Sequence, residues 1–83
     1  MNNKVYVISY ENYCEDSVSS GVCYIFADKE EAIKMLKDIK LNMQEDYENV
    51  SDLITQEGVI ADFGNGYLQY ILEEMDIIQK GDV

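Results

Sequence analysis

Residues 58–71 read GVIADFGNGYLQYI, two apolar runs on either side of Gly64-Asn65-Gly66. An Asn-Gly between such runs is the strongest short-range signal for a β-hairpin, because both residues tolerate the positive φ that a tight turn demands. The second run extends through LEEMDII to residue 78, and taken alone it is ambiguous. Leu68, Ile71, Leu72, Met75 and Ile78 also recur with a helical period. The turn before it and its aromatic and β-branched content favour a strand over 67–78.

Upstream of the hairpin lies the clearest helical pattern. Asp28 stands at an N-cap position with Glu31 three residues on, an Asp version of the capping box. Ala32, Leu36, Ile39, Met43 and Tyr47 follow at spacings of four, three, four and four, with Ile33, Met35 and Leu41 beside them. This predicts an amphipathic helix over 28–47. Glu30–Lys34 is a favourable i,i+4 pair and Lys34–Asp38 a weaker one in reverse order. Residues 48–57 carry a weak pattern, readable as one helical turn or as loop.

Further upstream, KVYVISY (4–10) is β-branched and aromatic on both alternating faces. Val5 and Val7 fall on one face, Tyr6, Ile8 and Tyr10 on the other, which fits a strand covered on one side and flanked by tyrosines on the other. ENYCEDSVSS (11–20) is polar and reads as a loop. GVCYIFA (21–27) reads as a second strand, with Val22, Tyr24 and Phe26 on one face and Cys23 and Ile25 on the other. The sum is ββαββ, an α+β fold with an antiparallel sheet of about four strands and one main helix on a face. The length allows one domain, residues 1–83.

Composition narrows the chemistry. The chain has 17 Asp+Glu against 6 basic groups, all lysine, and a formal net charge of −11. It contains no His, Arg, Pro or Trp. Without histidine there is no imidazole base and no Ser–His or Cys–His couple. Without arginine, and with this charge, there is no basic surface for nucleic acid. Seven Tyr, two Phe and an apolar fraction of 47% separate it from a disordered acidic tail. No apolar run is long enough for a membrane span, and the first residues lack a signal-peptide pattern, so a cytoplasmic setting is expected. Cys14 and Cys23 are then expected to be reduced, as a loop thiol and a partly buried thiol. Two cysteines with no second pair and no His do not make a zinc site.

The charge is unevenly placed. Residues 1–40 hold seven acids and five lysines, net −2, whereas 41–79 hold nine acids and no basic group, net −9. The end of the expected helix offers Glu45, Asp46 and Glu48, where its partial negative charge ordinarily favours Lys or Arg. Broken local rules of this kind concentrate at functional sites. A solvated acidic face is the plain alternative, but eleven charges exceed the roughly 2–8 that serve solubility in a small domain. The first candidate contacts for a partner are therefore Glu45, Asp46, Glu48 and Asp52. Glu73, Glu74 and Asp76 come second, because on a strand Glu74 and Asp76 share a face. Tyr47, Tyr67 and Tyr70 are available as low-entropy apolar contacts nearby, although packing is the more ordinary use of each.

Two motif matches fail on inspection. Asp62-Phe63-Gly64 spells the kinase metal-binding triplet, without the glycine loop or catalytic loop that a kinase needs. Asp62 and Glu73 fit positions 1 and 12 of an EF-hand loop, but Gly64 and Gly66 occupy positions 3 and 5 and Tyr67 replaces the glycine of position 6. No cofactor, dedicated metal site or enzymatic activity is expected, beyond weak adventitious binding of divalent cations by clustered carboxylates.

In size, charge, lysine-only basic set and acidic C-terminal half, the chain resembles the small acidic inhibitors that phages use against host defence nucleases, including anti-CRISPR proteins and DNA mimics. That resemblance implies a non-enzymatic module whose partner is a basic, nucleic-acid-binding protein, occupied where it would otherwise hold DNA or RNA. It implies no direct nucleic-acid binding. The alternatives are a structural protein forming a homodimer or larger homo-oligomer through an open sheet edge, and a small ligand-binding or enzymatic domain.

Overall fold

The computed structural model describes residues 4–77. Met1–Asn3 and the expected continuation of the last strand to Ile78 lie outside the described residues. The elements in order are β1 (Lys4–Cys14), β2 (Ser17–Phe26), α1 (Lys29–Asp46), β3 (Val50–Asp52), β4 (Gly58–Asp62) and β5 (Gly66–Asp76). One helix packs on a five-stranded antiparallel sheet of order β2-β1-β5-β4-β3. The fold is α+β, with one strand more than the four expected. The extra strand, β3, falls in the weakly patterned segment. It is extended because it pairs with β4, Val50 opposite Ala61 and Asp52 opposite Val59.

The first hairpin is longer than its apolar runs. The expected loop over 11–20 is instead strand, closed by a turn of only Glu15 and Asp16, with Glu15 at φ 54°. Polar residues suit strands here because Glu11–Ser20 are largely solvent-exposed on both faces. The Glu15 amide donates to the Asn65 carbonyl at 3.1 Å, which ties this turn to the turn of the β4–β5 hairpin. β1 and β5 then run side by side in one register from Lys4 opposite Asp76 to Cys14 opposite Gly66.

The helix follows its sequence signals. Asp28 is the N-cap, its carboxylate accepting from the Glu30 amide at 3.0 Å, and Tyr47 is the C-cap, its amide donating to the Met43 carbonyl at 2.8 Å. Asp28→Ala removes the acceptor for an otherwise unpaired amide, and a loss of about 1 kcal/mol in urea denaturation is expected. The i,i+4 pairs read from the sequence do not form ion pairs. Lys4 bridges to Glu74 and Lys40 to Asp52 instead.

The helix buries Ala32 and Met43 against the sheet. Around Ala32 sit Tyr6, Ile8 and Leu72, and around Met43 sit Val59 and Ala61, with Leu36, Ile39 and Tyr70 joining the two groups. The covered face of β1 is thus the one bearing Tyr6 and Ile8, so Tyr6 is core and not a flank. A register shift between Ile8 and Ser9, where Tyr24 and Val22 are the successive partners, leaves Cys23 as an extra residue. This bulge separates Val22 from Tyr24 and Phe26, which the sequence placed together. Val22 now shares the helix-free face with Ile25. Among the described residues no element packs across that second face, where Val7 is buried between neighbouring strands but Val18, Val22 and Ile25 are exposed.

Candidate functional site

The sheet register gathers carboxylates at one end of the molecule. α1 ends there with Glu45 and Asp46, and Glu48 follows its C-cap. The Asp62 amide donates to the Asn49 carbonyl at 2.9 Å, which pins the end of β4 beside this segment. The Asp62 carboxylate in turn accepts from the Gly64 amide at 2.9 Å and shapes the β4–β5 turn. Through the Glu15–Asn65 bond the β1–β2 turn joins the same end and adds Glu15 and Asp16. All six carboxylates are exposed. Among the described residues none of them pairs with a lysine; the ion pairs lie at Lys4–Glu74, Lys4–Asp76 and Lys40–Asp52.

A groove of about 420 Å³ runs through this end, lined by Asp46, Tyr47, Glu48, Asn49, Asp62, Phe63 and Gly64. Its apolar wall is the stacked pair Tyr47–Phe63, with ring centroids 5.7 Å apart and planes at 23°. The C-terminal pole of α1 adds roughly half a negative charge to the same region, and no basic residue in the last turn offsets it. Carboxylates, helix pole and rigid aromatic wall together make a surface that attracts cationic side chains and offers them flat apolar contact.

The seven residues singled out from the sequence divide. Glu45, Asp46 and Glu48 come together in this unpaired group. Asp52 is held at 2.9 Å by Lys40, and Glu74 at 2.9 Å by Lys4, which also approaches Asp76 at 4.0 Å. The hydrogen bond and charge of Lys4 hold the Glu74 carboxyl below the usual carboxylate range, and Glu74 raises the Lys4 pKa in turn. Glu73 alternates onto the helix-free face, opposite Val7. Sequence reasoning missed Glu15, Asp16 and Asp62. Their only signal was adjacency to turns, since the register that joins them is tertiary.

The tyrosines are mostly structural. Tyr70 packs against both core groups, and burial raises its pKa. Tyr67 donates its hydroxyl to the Glu11 carboxylate, a hydrogen bond that raises the phenol's pKa. Of the three named as contacts, Tyr47 lines the acidic groove and Tyr67 borders it as the cross-strand neighbour of Asp62, whereas Tyr70 belongs to the core. Both cysteines are free and exposed, contrary to the partial burial expected of Cys23. Cys14 closes β1 and Cys23 sits at the bulge, where some desolvation raises its thiol pKa and so disfavours the reactive thiolate.

Asp62 and Glu73 lie toward opposite ends of paired strands, with Asp62 opposite Tyr67, so the EF-hand frame has no geometric counterpart. Among the described residues there is no cluster of three or more metal-ligating side chains and no helix long and apolar enough to cross a membrane. No protein-family model, curated protein or solved structure matches the chain.

Proposed function

We propose that this chain is a non-enzymatic, acidic protein-binding module. It acts as an inhibitor that lays its electronegative end on the basic, nucleic-acid-binding surface of a partner nuclease. The observation that carries the reading is the collection of Glu15, Asp16, Glu45, Asp46, Glu48 and Asp62 at one end, with no lysine pairing with them among the described residues. Like charges held together cost a small domain stability, and a partner of opposite sign recovers that cost on binding. Asp52, Glu74 and Asp76 enter only as a periphery, because their own lysines already screen them.

The test begins with a partner captured on the immobilised chain and competed with duplex DNA. DNA is expected to displace the partner, since both claim one surface. Replacing Glu45, Asp46 and Glu48 together by Lys is then expected to slow association about tenfold or more, with a smaller change in dissociation. Wild-type association should fall as salt rises from about 50 to about 200 mM. Equal association rates for the two proteins, together with indifference to salt and DNA, would remove the mechanism.

A further inference from the structure

The two edges of the sheet are built differently. β3 is three residues long and ends at Asp52, which Lys40 holds. Short, charged edges resist pairing with another chain. β2 is ten residues long, and residues 17–27 form an eleven-residue run without a charged side chain in a chain of net −11. It has no proline or lysine to guard it. Val18, Val22 and Ile25, all on the helix-free face, are 62%, 60% and 65% exposed.

The bulge at Cys23 limits what this edge can pair. From Ser17 opposite Cys14 to Val22 opposite Ser9 the register is unbroken, so six residues remain regular. Because the hairpin closes with two residues, Cys14 and Ser17 form its inward hydrogen-bonded pair. Val18, Ser20 and Val22 therefore turn their N–H and C=O groups outward, where no strand among the described residues meets them.

We propose that a second copy of this chain pairs antiparallel along Ser17–Val22, with Ser20 beside the two-fold axis and Val18 facing the partner's Val22, joining two five-stranded sheets into one of ten. Charge selects the occupant. Two copies with eleven negative charges each repel over most of their surfaces, whereas β2 carries no carboxylate of its own from Ser17 to Phe26. The two-fold axis stands normal to the sheet, so it keeps both helices on one face and points the acidic ends in opposite directions. Asp62 lies on β4, three strands from β2. At about 4.8 Å per strand the two Asp62 positions are then about 34 Å apart, several Debye lengths at physiological salt. Val18 and Val22 gain cross-strand apolar partners in this register, and the outward backbone groups gain hydrogen bonds.

Light scattering on the full chain across concentrations up to about 1 mM tests this. A mass of twice 9.5 kDa is expected, and its fraction should rise with salt as repulsion is screened, opposite in sign to the salt effect expected for a basic partner. The double variant Val18→Lys, Val22→Lys puts lysines opposite lysines and should run as a folded monomer, with a far-UV spectrum like that of the wild type. Mixing Val18→Lys chains with Val22→Glu chains should restore a dimer, since each Lys then meets a Glu. A wild type that stays monomeric, a dimer that survives both lysines, or failure of the mixed pair to associate overturns the proposal. So does a monomeric chain in which Val18→Lys weakens capture of the basic partner, because the edge then belongs to that partner.

Discussion

Replacing Ile8 by Ala is expected to lower the free energy of unfolding by about 3–4 kcal/mol and to leave a large fraction of the chain unfolded at physiological temperature. Ile8 is fully buried and, with Val59, is one of the two largest side chains with almost no exposure. It sits on β1, packed with Tyr6, Ala32 and Leu72, where the central strands meet the helix. The substitution removes three carbons and leaves a cavity that Ala32, already minimal in size, cannot fill. The core around it is small, and at about 0.05–0.15 kcal/mol per residue a chain of this length has about 4–12 kcal/mol in total. A net charge of −11 places it toward the lower part of that range. In urea the midpoint should fall steeply with the slope unchanged. A loss below about 1 kcal/mol would mean that the helix–sheet contact is not where the stability resides.

How far the sequence reveals this fold depends on whether a segment's signal is local. The helix is legible because its cap and its four-three-four-four spacing are local, and it appears as Lys29–Asp46 inside the expected 28–47. β5 was ambiguous for a physical reason. It is a central strand whose helix-side residues Leu68, Tyr70 and Leu72 and opposite residues Tyr67, Ile71 and Met75 are both apolar, so the alternation that would mark a strand is absent. β3 could not be read, since three residues become a strand only by pairing with β4. The segment 11–20 misled in the other direction, because a hairpin arm wet on both faces has the composition of a loop.

The same division governs the acidic end. Glu45, Asp46 and Glu48 were visible because they offend a local rule at a helix terminus. Glu15, Asp16 and Asp62 join them only through bonds between turns. The screening of Asp52 and Glu74 was hidden too, for Lys40 and Lys4 lie twelve and 70 residues away in the chain.

Those bonds between turns put a second residue under heavy constraint. Gly66→Ala is expected to destabilise the chain by about 2–3 kcal/mol, well beyond Gly64→Ala two residues earlier. Gly66 is buried where β5 begins. A Cβ there would overlap the Tyr13 carbonyl oxygen and come within 2.9 Å of both the Cys14 Cα and the Phe63 ring. Two of these neighbours are backbone, so relief requires β1 and β5 to separate at the end where the turns are tied together. Gly64 presents the opposite case. Its φ of 91° is a conformation that side chains resist, but a Cβ there meets nothing within 4 Å, so the cost stays at about 1 kcal/mol of backbone strain. Because Phe63 stacks on Tyr47, displacing it at Gly66 also loosens the wall of the acidic groove. Gly66→Ala should therefore lower the urea midpoint more than Gly64→Ala and weaken the near-ultraviolet tyrosine signal. A ranking in the reverse order would show that positive φ in the turn, and not the close approach of β1 to β5, sets the geometry of that end.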